Sequence, residues 1–297
     1  MMDRIRGYAR KGQELWRLGS MDPAEAWLGL TSHLAERPER EKPHYQEVPY
    51  VVTEDWEQKL HQMLGLAWPC ATRAQFWPLW EEVLKPFRAG NVAIGRGAFD
   101  GWGDGEPAMV RAAWCLVRHL KPAKIVETGV ARGFTSRMIL EALEINGTGD
   151  LWSVDLPPPM RPDLHAQIGR AVRGELKHRW TYVKGTSRRH LPGLLKEIGP
   201  IDLFIHDSAH SEYNTSFELA QAWRALKPGG VVMADDIDYG SAFLDFASAT
   251  PGNPHLICHA EPLAPDEIRF DRVGLFGIAR KEEISAEKKV HKMTAGR

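Results

Sequence analysis

From residue 124 onward, short apolar runs that close on polar residues alternate with stretches in which apolar positions recur at helical spacing. The runs at 124–127, 151–155, 181–184, 203–207, 231–234, 255–258 and 273–279 predict seven strands. Helices fit between them, for example at 135–143 and 215–226. In the second, Leu219, Trp223 and Leu226 fall at i, i+4 and i+7, an apolar stripe suited to a sheet. The alternation predicts an α/β fold: a Rossmann-like, mostly parallel seven-stranded sheet with helices on both faces. Such sheets bind ligands beyond the carboxyl ends of their strands, so the polar residues that close the runs are the candidates for chemistry.

Residues 1–98 have a different texture. Helix-like stretches at 3–18, 22–36, 54–64 and 73–88 are broken by Pro38, Pro43, Pro49, Pro69 and Pro86, with few strand-like runs. Trp16, Trp27, Trp56, Trp68, Trp77 and Trp80 fall here, six of the chain's eleven tryptophans. Indoles bury large areas, so they predict a helical cap held on a larger domain, or else an aromatic surface facing a substrate. The stretch 99–105, Phe-Asp-Gly-Trp-Gly-Asp-Gly, is a loop by composition, and its Trp102 could cover a substrate; a helix follows at 107–120. The expected organisation is a cap at 1–98, a sheet domain at 99–280 and a charged, exposed tail at 281–297.

Charge narrows the function classes. Lys and Arg number 38 against 39 Asp and Glu, a net charge of -1, so no global field recruits nucleic acid or anionic membrane. The basic residues Lys177, Arg179, Lys184, Arg188 and Arg189 read as a solvated face. Cys70, Cys115 and Cys258 are odd in number and far apart in sequence. They exclude a disulfide framework and a Cys-x-x-Cys zinc or redox site, and they suit a reducing cytosol. No apolar run approaches the roughly 20 residues of a membrane helix, and residues 1–16 are charged throughout with no signal-peptide core. A cytoplasmic protein is expected, and the tryptophan-rich helices leave a homo-oligomer open.

The first strand runs into a glycine loop, Glu127-Thr-Gly129-Val-Ala-Arg-Gly133, that opens a helix at Thr135 and Ser136. Gly129 permits a tight turn, and Gly133 lets a ligand or backbone approach. The helix N-terminus offers free N–H groups to a carboxylate. A dinucleotide fingerprint needs Gly-x-Gly-x-x-Gly; here Ala131 replaces the middle glycine and the third is missing. Glu127 would repel a pyrophosphate but attract a cationic amine, as on S-adenosylmethionine. Asp155 closes the second strand, where an acid accepts ribose hydroxyls; it suits any adenosine ligand and leaves NAD(P) open. Gly185-Thr186-Ser187 after the third strand could bond an adenine edge.

The fourth strand ends at Asp207, followed by Ser-Ala-His210, and the fifth at Asp235-Asp236. Neighbouring strand ends would bring the three carboxylates together, where they repel one another unless a hard cation neutralises them. Magnesium suits such oxygen ligands; acids that merely cap strand ends are the plainer alternative. His210 could reach the same cavity and take a proton from a hydroxyl. His206 points to the opposite face and reads as a packed, hydrogen-bonded histidine.

Three segments, 126–133 (Val-Glu-Thr-Gly-Val-Ala-Arg-Gly), 201–213 (Ile-Asp-Leu-Phe-Ile-His-Asp-Ser-Ala-His-Ser-Glu-Tyr) and 226–236 (Leu-Lys-Pro-Gly-Gly-Val-Val-Met-Ala-Asp-Asp), resemble class I S-adenosylmethionine-dependent methyltransferases. Within that class they resemble the branch of macrocin-type sugar O-methyltransferases and proteins labelled cephalosporin hydroxylase. The resemblance covers about residues 99–280; residues 1–98 match nothing in it. It implies Glu127 near the methionine amine, Gly129 and Gly133 shaping the loop, and Asp155 on the ribose. It also implies Asp207, Asp235 and Asp236 as magnesium ligands and His210 as general base. Asp207 would also lie at the cofactor. The sugar branch often has Glu where Asp235 stands, a longer arm than this chain offers. The implied reaction is O-methylation of a hydroxyl on a sugar, glycoside or small natural product. A nicotinamide-dependent oxidoreductase and a non-catalytic module of the same fold are the rivals.

Overall fold

A computed structural model describes residues 19–20, 22–41, 48–95, 97–99, 102–103, 105–157, 161–261, 263 and 274–282. The expected helix at 3–18 with Trp16, together with Pro43, residues 100, 101 and 104, Val273 and the tail beyond 282, lies outside them.

The described N-terminal region is helical: α1 (Pro23–Ala35), α2 (Arg37–Glu41), α3 (Trp56–Leu64) and α4 (Arg73–Ala89). Then come α5 (Pro107–Leu120), β1 (Lys124–Thr128), α6 (Phe134–Asn146), β2 (Asp150–Asp155) and α7 (Pro162–His165). They are followed by β3 (Trp180–Lys184), α8 (Ser187–Ile198), β4 (Ile201–His206), α9 (Glu212–Ala225), β5 (Leu226–Ala234), α10 (Ala242–Ala249), β6 (His255–His259) and β7 (Leu275–Arg280). All seven expected runs are strands. They form one sheet in the order β3-β2-β1-β4-β5-β7-β6. Pairing is parallel from β3 through β5, while β7 runs antiparallel to both β5 and β6. This is the Rossmann-like, mostly parallel seven-stranded α/β sheet expected from the sequence.

Alternation along the strands divides the core into two layers. Ile125, Leu151, Leu203, Ile205, Val231 and Met233 face α5 and α6 on one side. Val126, Val154, Phe204, Val232 and Ala234 face α8, α9 and α10 on the other. On α9, Leu219 is buried, Trp223 is half-buried against Phe246, and Leu226 already belongs to β5.

The helix α5 is buried at every position from Pro107 to Val117, because α3 and α4 cover the face turned away from the sheet. The helices α3 and α4 therefore share one apolar core with the sheet. Trp80 is buried against Phe76 and Phe134, and Trp56 meets Phe276 edge-on at 5.4 Å. Trp27, Trp68 and Trp77 stay substantially exposed. Two prolines, Pro78 and Pro86, lie inside α4, so Pro86 does not end the helix as a local reading suggests. Burial of Phe76, Trp80, Val83, Leu84 and Phe87 along one face outweighs the lost hydrogen bonds. Among the described residues no helix is long and apolar enough to cross a membrane.

Candidate active site

Parallel pairing of β1 with β2 and β4, and of β4 with β5, aligns the carboxyl ends of four strands at the centre of the sheet. Glu127, Asp155, Asp207 and Asp235 therefore lie on one rim. Glu127 is fully buried. Ser136 Oγ and Ser153 Oγ donate to its Oε2 at 2.6 and 2.7 Å, while Oε1 has no partner. Burial pushes its pKa up to about 7, against the pull of the two serine hydroxyls. Leaving one oxygen of a buried carboxylate unsatisfied is costly. A donor from outside the protein, such as a ligand amine, fits that atom.

The glycine loop owes its shape to the protein itself. At Gly129, φ is +83° and a Cβ would fall 1.8 Å from the Asp207 carbonyl oxygen, so β4 packs against the loop where a side chain would stand. At Gly133 the close neighbour is Gly169 Cα, at 2.9 Å from a notional Cβ. The segment that supplies it is laced to the loop by Gly169 N–H and Ala171 N–H, which donate to the carbonyls of Ala131 and Arg132. Arg132 turns away from the rim and donates to Gln167 and to the carbonyls of Ala93 and Ala98. A bulky residue is accommodated in the loop because its guanidinium is spent on that anchoring.

Asp155 Oδ2 accepts from the N–H groups of Val130 and Ala131, both at 3.1 Å. One of its oxygens thus holds the glycine loop, and desolvation raises its pKa despite those bonds. Ser136 is likewise committed, to Glu127, and Thr135 is buried beside it.

Thr186 and Ser187 already have protein partners. Glu25 of α1 reaches across the turn and accepts from Thr186 N–H at 3.2 Å and Thr186 Oγ1 at 2.7 Å. It also meets His190 Nε2 at 3.1 Å and Arg189 at 3.4 Å. Ser187 Oγ contacts Asn214 at 3.4 Å. Nothing local in the sequence marked Glu25, since its partners lie more than 150 residues away.

At the acidic centre, Asp207 and Asp235 have pKa values raised well above the ordinary carboxylate range. Desolvation is the larger cause for both, and repulsion from Asp236 follows. Glu106 adds to the crowding. It caps the N-terminus of α5 through Ala108 N–H at 2.8 Å and also accepts from Glu261 N–H. A cluster so charged fits a hard cation by its chemistry. Among the described residues, however, the grouping of ligating side chains with donors within 4.8 Å of one another lies elsewhere. A divalent ion would have to draw Asp207, Asp235 and Asp236 together.

His210 stands beside this group, its Nε2 3.6 Å from Asp236 Oδ2 and its buried Nδ1 without a partner. Burial lowers its pKa, Asp236 pulls the other way and His206 adds to the lowering. Trp102 and Tyr239 flank the imidazole, each with a ring centroid 5.8 Å away. Trp102 therefore lies beside His210, and Tyr239 joins it unannounced by sequence.

His206 is fully buried, as its strand parity requires. It pairs with Glu218 Oε2 at 2.6 Å and with Thr215 Oγ1 at 3.0 Å. Glu218, on the sheet-facing side of α9, also accepts from Thr128, Ser208 (2.7 Å) and Asn214 (2.9 Å). Burial alone would raise its pKa, but His206 and these hydrogen bonds hold it down at about 2. Glu218 thus ties the start of the loop between Asp207 and His210 to α9. An acid amid the apolar stripe of α9 was the only sequence signal for it. The sign of its pH dependence follows from the depression. Its stabilising contribution is complete above pH 4.5, the ordinary value, and is lost as pH falls toward 2. Glu218→Ala is expected to lower unfolding stability at pH 7 by about 3–5 kcal/mol, read by urea denaturation. An unchanged midpoint would remove this network from the account.

A cleft of about 400 Å³ opens at Pro157, His165, Ile168, Lys177, Trp180, Tyr182 and Lys184. It contains none of the carboxylates or the histidine described above.

Residues 126–237 match the family model described as a methyltransferase domain. No curated protein matches the chain. Among solved structures, cofactor-bound Rv0187 from MTB is 17% identical, covers 68% of this chain and 91% of its own, and superposes with a TM-score of 0.51. The O-methyltransferase from Bacillus cereus in complex with SAH is 18% identical over 68% of this chain and 90% of its own, TM-score 0.47. TomG, an O-methyltransferase from Streptomyces achromogenes in complex with SAM, is 14% identical over 69% and 89%, TM-score 0.46. The match to the methyltransferase-domain model, residues 126–237, takes in Glu127, the glycine loop, the acidic centre and His210.

Proposed function

We propose that the protein is an S-adenosylmethionine-dependent O-methyltransferase acting on a hydroxyl of a small molecule, sugar or glycoside. The observation that carries this reading is the buried, unpartnered Oε1 of Glu127 at the end of β1, inside the methyltransferase domain. A carboxylate there suits the amine of the methyl donor and disfavours the pyrophosphate of NAD(P). When bound, S-adenosylmethionine supplies a methyl group on a sulfonium.

The chain's own residues do the rest. Glu127 holds the amine. Gly129 and Gly133 let the Asp207 carbonyl and Gly169 pack against the loop and so fix its shape, and Asp155 offers its second oxygen to the ribose. Thr186 and Ser187 border the adenine, and Asp207 the reacting end. His210 takes the proton from the acceptor hydroxyl, and Asp236 stabilises the imidazolium that results. Trp102 and Tyr239 each bring an aromatic ring within 5.8 Å of His210, which suits a flat aromatic ring or the apolar face of a sugar. Much of the rate comes from alignment of donor and acceptor. Asp207, Asp235 and Asp236 would hold magnesium, which would lower the pKa of the acceptor hydroxyl. The macrocin-like branch and its glycosidic substrates belong to the same proposal.

The test is release of S-adenosylhomocysteine with a panel of sugars, catechols and polyketide glycosides as acceptors. Turnover is expected to fall on treatment with a chelator, to return with added magnesium, and to be abolished in Asp207→Ala. Turnover indifferent to the chelator would remove the metal while leaving methyl transfer in place. No affinity for S-adenosylhomocysteine would remove the methyltransferase reading itself.

A further inference from the structure

Outside the acidic rim, the chain gathers a second set of ligating side chains. His61 on α3, Cys70 in the turn between α3 and α4, and Cys115 and His119 on α5 place their donor atoms all within 4.8 Å of one another. The two cysteines stand 45 residues apart (115 minus 70), so their separation in sequence hid the meeting. Cys115 and His119 are related as i and i+4 and face the same way from the helix. We propose that these four residues form a structural zinc site of the Cys2His2 type.

The donor set is the kind zinc selects: two sulfurs and two imidazole nitrogens, with no carboxylate among them. The spacing suits it. In a tetrahedral site with Zn–S near 2.3 Å and Zn–N near 2.05 Å, neighbouring sulfur and nitrogen ligands lie roughly 3.5 Å apart. Cys70 Sγ is 3.4 Å from His119 Nε2, and Cys115 Sγ is 3.8 Å from His61 Nε2. The tautomer of one ligand is already set. His61 Nδ1–H donates to the Glu57 carbonyl at 2.8 Å, which leaves Nε2 unprotonated and aimed at the cluster. Thr72 Oγ1 lies 3.3 Å from Cys70 Sγ and can donate to a thiolate there. Two thiolates and two neutral imidazoles would balance the charge of Zn²⁺.

Four protein ligands fill a tetrahedron and leave no position for water or substrate, so the site is structural rather than catalytic. Its place in the fold indicates its work. It joins α3 and the following turn to α5, the helix buried from Pro107 to Val117 whose N-cap, Glu106, adds its charge to the acidic centre. The metal would pin the N-terminal helices to the methyltransferase domain. This assignment stands apart from the methyl-transfer reading and is testable without it.

The experiment uses the full chain purified without chelator. Elemental analysis is expected to give about one zinc per chain. Exchange of cobalt(II) for zinc should produce tetrahedral d–d bands with thiolate-to-cobalt charge transfer. Cys70→Ser, at a half-exposed position that tolerates the change, should lose most of the bound zinc and the charge-transfer intensity; Cys258→Ala, outside the cluster, should keep both. Stripping the metal should lower the melting temperature, restored by zinc and not by magnesium. Absence of zinc from the purified protein, together with failure of stripped and reduced protein to take it up, would overturn the assignment. So would a Cys70–Cys115 disulfide found by mass spectrometry in protein purified without reductant, or a cobalt spectrum unchanged in Cys70→Ser.

Discussion

Glu127→Gln is expected to weaken S-adenosylhomocysteine binding roughly ten- to a hundredfold while making the ligand-free protein more stable. The first effect follows from removing the charge. A charged hydrogen bond is worth about 1.5–3 kcal/mol, and the carboxamide presents a donor where the ligand amine needs an acceptor. The second follows from the pKa raised to about 7. The folded protein binds this proton more tightly than the unfolded chain, whose carboxyl titrates near 4.5. Stability therefore falls as pH rises from 4.5 through 7, and above pH 7 the full penalty of burying the charge, on the order of 3 kcal/mol, is present. Glutamine keeps the shape and an acceptor for Ser136 and Ser153 and avoids that penalty. The stabilisation should thus be largest near pH 8 and vanish below pH 4.5. Wild-type affinity should also decline as pH drops below 7, because the amine must compete with a proton, while the variant's affinity stays flat. Titration calorimetry across pH, paired with urea unfolding, reads both signs. Equal affinity of wild type and variant at pH 8 would remove Glu127 from the cofactor site.

His210→Ala is expected to lower kcat by about 10²–10⁴-fold, with S-adenosylhomocysteine affinity unchanged. The imidazole is suited to the task because burial favours its neutral form, and because Nδ1 is left without a hydrogen bond in the ligand-free protein. Asp236, 3.6 Å from Nε2, is placed to stabilise the charged ring once a proton has been taken. A purely structural histidine would shift stability and cofactor affinity along with rate. The separation of kcat from binding is therefore the decisive readout, and unchanged turnover would remove His210 from the chemistry.

The fold was legible because its signals are local. Each apolar run of the sheet carries its own period, and the first five lead into polar residues, so seven strands and the rim where those polar residues lie could be placed before any contact was known. His206 could be assigned to the interior from strand parity alone. The committed positions of Thr186 and Ser187 were not legible, because their partner, Glu25, belongs to a helix distant in sequence. The glycines were recognised as special, but the neighbours that require them, the Asp207 carbonyl and Gly169, come from elsewhere in the chain. Arg132 looked out of place in the loop until its partners at Ala93, Ala98 and Gln167 were seen.

What the sequence determined by itself was the order of strands and helices and which acids and histidines end up at the carboxyl rim, since periodicity and strand ends depend on neighbours a few residues away. Tertiary structure alone decided which polar atoms are satisfied, which are left without a partner and which side chains meet: the open oxygen of Glu127, the Glu218 network beneath His210, and the meeting of His61, Cys70, Cys115 and His119. Those outcomes depend on packing between segments far apart along the chain, where burial removes water as a partner and leaves each polar group dependent on what the fold brings beside it.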